Sequence, residues 1–524
     1  MGILSSLNFG IIEIFFSLSA IYISYYYYKY FTRPNPLPGP FPLPFIGNLY
    51  LFNINDFSKF LKEGHEKYGE LFEIYFAGDR QICVGNLNVI DKLFNPSSKT
   101  NFKFRSLYKP GLDEFGVSGY GVVFNHDYNS WQFNRQFFTQ VMLTPSFSQL
   151  SLSQSQDFLK VIINYLNDIS DKNITFDLRK WMFSFMTDTL LDLFTGKRGI
   201  STNIYYSELI NKKTIDDEYV ELLMKYVDGY TFHLFFGTFA KYIPIFKGIA
   251  KNHINNRDKF WNYINNIIIE QKKIIENSPK DQLRDDMITL LLTANTDLDI
   301  NVSKSRVKDL DPKYQRPLND KELLINLSEA IGAGVDTIAN LFTFLLYYII
   351  KNPEVITKIR AEVIDILGKD LRPIKVEDID KFKYIEAVIK ESSRLSSLTP
   401  LIDRYNHVSD EIAGYNWPAN THFIINASGT HSDSKFWENP EKFDPERFIK
   451  SSSINNPKAF ILFGGGIRIC PGRKLAMILL KVLTALLVYK FDFELVKDDP
   501  IKIKFAIFNQ PDEVNIRIKK REIF

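Results

Sequence analysis

The sequence predicts a mainly α protein with a small β part, built as one large domain behind an N-terminal membrane anchor. Three features point there: an apolar, aromatic run over Ile3–Phe31, a proline-rich stretch over Arg33–Asn48, and helical patterning from about Ser130 to Lys490 ahead of three short strand-like segments. They divide the chain into an anchor (1–32), a strap (33–48) and the main domain (49–524).

The first run has Glu13 and Lys29 as its only charges. A membrane-spanning helix needs about 20 mostly apolar residues, and Ile11–Phe31 supplies that length with Glu13 near one edge. Tyr25 to Tyr28 suit an interfacial belt, and Lys29 and Arg33 just beyond place the body on the cytosolic side. A cleaved signal peptide would need a basic start and a small-residue cleavage site, which are missing. A buried core helix would have to accommodate Glu13. On the cytosolic side, the sequons at Asn173-Ile174-Thr175 and Asn301-Val302-Ser303 stay unglycosylated.

Six prolines between Arg33 and Asn48 forbid helix and favour stiff, extended backbone, so this stretch reads as a strap holding the body against the membrane. Beyond it, Leu71–Phe76 and Gln81–Val84 bracket a turn at residues 77–80, a hairpin pattern. Long helical segments include Asp258–Asn277 and Lys381–Ser396; residues 297–320 are polar and irregular, a surface loop. Phe491–Val496, Ile501–Ile507 and Val514–Ile518 read as strands.

The composition is globular, with 45% hydrophobic and 24% charged residues, and 524 residues can enclose a cofactor cavity. A net charge of +3 without a long basic run gives no case for nucleic acid. With two cysteines far apart, Cys83 and Cys470, there is no disulfide framework and no cysteine-rich metal cluster, which suits a reducing compartment. Cys83 lies on the second hairpin strand, where a buried, inert thiol is the ordinary reading.

Cys470 stands in Phe463-Gly-Gly-Gly-Ile-Arg-Ile-Cys-Pro-Gly472. A thiolate ligand to haem iron promotes O–O cleavage, and it needs backbone N–H donors on a loop that turns tightly, hence glycine. Arg468 suits a propionate, Phe463 can cover the sulfur, and the helix after Gly472 aims its positive end at the anionic sulfur. The spacing of Phe463, Gly466, Arg468, Cys470 and Gly472 resembles the cysteine-loop signature of the cytochrome P-450 family.

Glu391 and Arg394, at i,i+3 on a helix, lie on one face and can pair. Alone such a pair is commonplace. Followed by Pro445-Glu446-Arg447-Phe448, it resembles the family's buried charge network, in which Glu391, Arg394 and Arg447 shape the cysteine side of the haem. That role is structural.

A helix starts at Asn319, an N-cap with Glu322 three residues on, and runs to Asn352. Its apolar half from Thr337 to Ile350 invites comparison with a second span, but Asn326, Glu329 and Asp336 precede it and mark a core helix. Within it, Gly332-Ala333-Gly334-Val335-Asp336-Thr337 has two glycines, each costing about 1 kcal/mol against alanine, which implies close approach to the backbone. An acid and a hydroxyl beside such a gap suit a proton relay. The segment resembles the family's oxygen-binding groove: Ala333 and Gly334 make room for O2, and Asp336 and Thr337 deliver protons to it. Where many members have a second hydroxyl, this chain has Ile338.

Trp131 and Arg135 match the family's WxxxR helix, whose indole and guanidinium contact haem propionates. Arg404 resembles a further propionate partner, with Asp403 where proline is usual. By position in the family, Phe102–Tyr108 and Thr399–Ile402 contribute an apolar substrate pocket.

The resemblance runs essentially the whole length. It implies the cytochrome P-450 fold, one large haem domain, and a monooxygenase that inserts one oxygen atom of O2 into a small lipophilic substrate. It also implies a membrane-bound NADPH–cytochrome reductase as electron donor and a single-pass location in the endoplasmic reticulum, facing the cytosol. A haem-thiolate isomerase, dehydratase or peroxygenase would dispense with the reductase, and Asp336-Thr337 argues against it. A non-enzymatic haem sensor of gas or ligand is the reading from another class.

Overall fold

The computed structural model describes residues 2–522 apart from 53–55, 77–78, 98, 106–108, 213–218, 241–242, 295, 299–315 and 450–455. Its helices are α1 (Gly2–Phe31), α2 (Phe57–Tyr68), α3 (Leu87–Leu93), α4 (Lys109–Glu114), α5 (Tyr128–Met142), α6 (Pro145–Asp171), α7 (Leu178–Thr195), α8 (Ser201–Leu209) and α9 (Tyr219–Ala240). They continue as α10 (Pro244–Glu276), α11 (Met287–Thr293), α12 (Asp320–Lys351), α13 (Pro353–Leu367), α14 (Val376–Ile379), α15 (Lys383–Leu395), α16 (Ala427–Ser432) and α17 (Arg473–Lys490). The strands are β1 (Leu71–Phe76), β2 (Asp79–Val84), β3 (Phe176–Asp177), β4 (Leu401–Tyr405), β5 (Asp410–Ile412), β6 (Tyr415–Trp417), β7 (His422–Asn426), β8 (Phe491–Leu495), β9 (Ile503–Phe505), β10 (Asn509–Pro511) and β11 (Asn515–Lys520). The expected mainly α architecture with a small β part is present.

α12 is the axis of the core. The Asn319 side chain accepts from the Glu322 N–H at 2.9 Å while the Glu322 carboxylate accepts from the Asn319 N–H at 2.8 Å, a capping box that fixes the helix start. It ends before Pro353, which opens α13 at its first position, where a missing N–H costs nothing. Its length and apolar composition would let it cross a membrane, and it is the only described helix of which that is true. Most of that apolar window is buried against the protein, so it is a core helix, as its interrupting polar residues require.

β1 and β2 pair antiparallel from Leu71↔Val84 to Phe76↔Asp79, β2 runs parallel to β7, and β7 pairs antiparallel with β4. Cys83 is fully buried on β2, and burial pushes its thiol pKa up, so it is unreactive. The strands expected at the C-terminal end appear as β8, β9 and β11, with β10 folded back on β9. The helix expected at Asp258–Asn277 is, as far as Glu276, the C-terminal part of α10, and the one expected at Lys381–Ser396 is present as the slightly shorter α15. Residues 299–315, most of the expected surface loop and with them the Asn301 sequon, lie outside the described residues, as do 77–78 of the hairpin turn.

α1 is continuous, with Phe15 and Phe16 about two-thirds exposed. Its far end docks by rings: Tyr22 stacks on Phe45 at 4.2 Å and Tyr27 on Phe41 at 5.4 Å. The strap lies on β1. A Cβ on Gly39 or Gly47 would strike the Glu73 or Tyr75 carbonyl, so glycine is required where the backbones touch. Arg33 and Arg80 both pair with the buried Glu73 carboxylate, which locks the strap to the sheet.

Candidate active site

The cysteine loop is held by local geometry. Gly464 and Gly466 have φ of +69° and +66°, the left-handed region that favours glycine. A Cβ on Gly466 would stand 2.5 Å from the Phe94 carbonyl oxygen, so the loop is also pressed against the end of α3. The Cys470 N–H donates to the Phe463 carbonyl at 2.9 Å, closing the turn. Gly472 caps α17 and its N–H donates to the sulfur, lowering the thiol pKa, while burial raises it more strongly.

Four guanidiniums cluster around the cysteine loop, Arg105 and Arg135 near enough to the sulfur to favour its anion. Arg468 lies over the Trp131 ring at 3.9 Å and donates to the Lys103 and Asn125 carbonyls. Arg404, on β4, donates to the Asp403 and Gly465 carbonyls. Arg135, one turn after Trp131 on α5, donates to the Ile469 carbonyl at 2.6 Å, and Arg105 donates to the Val123 carbonyl. Burial, and for three of them mutual repulsion, pushes their pKa values down: Arg404 to about 9, Arg135 to about 10, Arg468 well below its usual value. A guanidinium keeps its proton in a protein, so these charges call for an anion. Arg468 Nη1 and Arg105 Nε are buried with no hydrogen-bond partner. A haem fits: its two propionates answer the arginines and its iron answers the thiol. Arg105 has no local signature, and a lone arginine in the aromatic run Phe102–Tyr108 was its only trace in the sequence.

On α15, Arg394 Nε and Nη2 donate to the two Glu391 oxygens, both at 2.8 Å, and Arg447 Nε donates to Glu391 Oε1 at 3.0 Å. Arg394 also donates to the His431, Pro440 and Lys442 carbonyls. All three charges are essentially buried, so the network ties α15 to the segment leading into the loop.

On α12, Ala333, Gly334 and Thr337 keep part of their surface accessible within a buried stretch. Gly334 meets the close approach its residue type implies: a Cβ there would stand 2.7 Å from Leu190 of α7. Gly332 does not; its Cβ would meet nothing nearer than 3.8 Å, so the second glycine is not a packing requirement. Thr337 Oγ1 donates to the Ala333 carbonyl at 2.7 Å. A small cavity of about 40 Å³ beside the helix is lined by Gly332, Ala333 and Asp336, with Val123, Phe124, Ile507 and Phe508. None of its lining belongs to Phe102–Tyr108 or Thr399–Ile402; residues 106–108 lie outside the described residues.

Asp336 is buried, and burial raises its pKa to about 6, with Arg179 pulling the other way. Asn340 Nδ2 donates to Asp336 Oδ1 at 2.9 Å and Gln510 Nε2 at 3.3 Å. Arg179, half-buried at the start of α7, donates to both Asn340 and Gln510. Asn340 is legible as the i+4 neighbour of Asp336; Arg179 and Gln510 come from distant elements and have no sequence signal.

A fold of this kind, with a half-buried cysteine on a glycine loop, propionate-ready arginines and a buried acid on α12, fits a haem-binding oxidoreductase. The family model for cytochrome P450 matches residues 37–517, and the chain belongs to that family. Similar proteins include cytochrome P450 705A5 of Arabidopsis thaliana, 25% identical over 88% of this chain and 86% of its own. Cytochrome P450 4d2 of Drosophila melanogaster is 26% identical over 91% and 93%. Steroid 17-alpha-hydroxylase/17,20 lyase of Ictalurus punctatus is 25% identical over 91% and 90%. The chain is a P450 monooxygenase, and the family implies haem, O2, a substrate and a redox partner.

Proposed function

We propose that Cys470 would hold the haem iron through its thiolate and that Ala333, Gly334, Asp336 and Thr337 of α12 would serve O2 binding and protonation, the enzyme inserting one atom of O2 into a small lipophilic substrate. The observation that carries this reading is the cluster of arginines around the cysteine loop, Arg404 and Arg468 buried and Arg135 on the Ile469 carbonyl, a charge arrangement that a dianionic haem would balance. When bound, the haem supplies oxygen activation.

The protein's own groups do the rest. Arg135, Arg404 and Arg468 hold the propionates, with Trp131 packed under Arg468. Gly472 N–H and the N-terminal end of α17 favour the anionic sulfur. Glycine at 466 lets the loop reach its position, and Phe463 closes it. Thr337 commits its proton to the Ala333 carbonyl, so its oxygen is free to accept a hydrogen bond in the groove by Ala333 and Gly334. Asp336, poised near neutrality, exchanges protons with the cavity. Asn340 and the half-buried Arg179 link it toward solvent.

Electrons come from a membrane-bound NADPH–cytochrome reductase. Residues 1–32 anchor the chain in the endoplasmic reticulum, with the domain on the cytosolic face; six tyrosines in the second half of α1 suit the interface more than the hydrocarbon centre. The test is turnover with NADPH and reductase: oxygen uptake matched to oxygenated product supports the assignment, and product without oxygen uptake contradicts it. Deleting residues 2–32 should move the protein from the membrane to the soluble fraction.

A further inference from the structure

The second half of α1 is not a free tether. Tyr22 stacks on Phe45 at 4.2 Å and Tyr27 on Phe41 at 5.4 Å, and Tyr30 adds edge contacts to Phe41 at 5.4 Å and to Tyr75 of β1 at 5.7 Å. The Arg33 guanidinium lies over the Tyr30 ring at 4.0 Å and pairs with the buried Glu73. From Tyr22 to Tyr30, then, α1 is laid along the strap and the first strand.

The backbone of the strap fixes the depth of that contact. Around Phe45 it makes a tight turn: Phe45 and Gly47 have φ of +67° and +60°, Leu43 and Gly47 exchange two hydrogen bonds, and the Asn48 N–H donates to the Tyr75 carbonyl at 2.7 Å. Phe41, Phe45 and Ile46 are 48%, 59% and 40% exposed, so the turn faces its surroundings. Lipid-exposed irregular backbone does not occur within the hydrocarbon layer, where no water satisfies its polar groups. The turn therefore stands outside that layer, and Tyr22, stacked on it, stands outside as well. Were the span Ile11–Phe31, the turn would be drawn about 15 Å into hydrocarbon.

We propose that the hydrocarbon-spanning segment is Gly2–Ile21, and that Tyr22–Phe31 is a stalk at the level of the lipid headgroups, clamped to the strap. This rests on the reading of residues 1–32 as a membrane anchor. Counted back from Ile21, a span of about 20 residues reaches Gly2 and measures about 30 Å. Glu13, the one charge in that stretch, lies about 12 Å inside from Ile21 rather than near an edge. Lys29, exposed beside the Tyr25 ring at 4.8 Å, comes to the depth of the lipid phosphates.

The test uses the full-length holoprotein in phosphatidylcholine vesicles with one cysteine added at a time, Ser24→Cys or Ser6→Cys. Ser24 is exposed on α1, so its replacement disturbs no contact with the strap. N-ethylmaleimide crosses the bilayer but modifies only a thiol that water can ionise. The added mass is read on the α1 peptide, which has no other cysteine. Ser24→Cys should be modified, and Ser6→Cys should stay unmodified until detergent is added. For a span of Ile11–Phe31 the pattern reverses, with position 24 about 10 Å inside and position 6 in water. Protection of Ser24→Cys, or modification of Ser6→Cys in intact vesicles, overturns the proposal. Failure of the anchor reading itself would look different: alkaline carbonate would strip the protein from the vesicles, and both cysteines would be modified.

Discussion

Asp336 and Arg179, from α12 and α7, are joined through two side chains: Asn340 donates to the carboxylate at 2.9 Å and accepts from the guanidinium at 3.0 Å, and Gln510 donates to the carboxylate at 3.3 Å and accepts from the guanidinium at 2.8 Å. The acid in the cavity is thereby connected to a half-buried cation near the surface. Asp336→Asn keeps the shape and removes the exchangeable proton, so kcat should fall about 100-fold, in the range lost with a general acid–base group, with haem content unchanged. An unaltered kcat would remove Asp336 from proton delivery.

The same carboxyl makes a pH prediction. Its pKa is about 6 folded and about 4 unfolded, so folding takes up a proton in between. Stability from this group is therefore highest below pH about 4, falls as pH rises to about 6, and is flat above. Relative to wild type, Asp336→Asn should gain about 2–3 kcal/mol between pH 4 and pH 7. Denaturant unfolding at the two pH values measures it, and no change would mean that the carboxyl is not perturbed.

Glu391, with both guanidiniums upon it, is a buried charge that cannot lose partners cheaply. Arg447→Ala should cost about 3–5 kcal/mol and most of the haem-loaded yield. Thermal melting with the haem-to-protein ratio reads both, and a loss under about 1 kcal/mol would show that the ion pair with Arg394 suffices.

Glycines 466 and 472, both in the loop signature, should respond differently. At Gly466 a Cβ meets the Phe94 carbonyl and φ is positive, so Gly466→Ala should abolish haem loading. At Gly472 a Cβ would meet only the Cys470 sulfur, at 4.0 Å, and φ is negative, so Gly472→Ala should load haem. Equal effects would contradict the loop geometry.

What was legible in the sequence is what local chemistry dictates. The Asn319–Glu322 capping box and Pro353 bounded α12, and the spacing from Phe463 to Gly472 defined a turn that only glycine can make. Glu391 with Arg394 was readable as a pair, but its burial came only from the carbonyls of residues 431–442. Arg105, Arg179 and Gln510 were not legible, because each acquires its role from a partner brought close by the tertiary fold. Glu329 was visible only as a polar residue arguing against a membrane span, since its donors, the Val122 and Val123 N–H groups and the Tyr230 hydroxyl, come from distant parts of the chain.

The most direct test of the central claim is the carbon monoxide difference spectrum of the reduced protein beside Cys470→Ser. Wild type should show the strongly red-shifted Soret band of thiolate ligation and the variant should lack it, since the one other thiol, Cys83, is fully buried on β2. A red-shifted band retained by Cys470→Ser, or absent from haem-loaded wild type, would contradict the account.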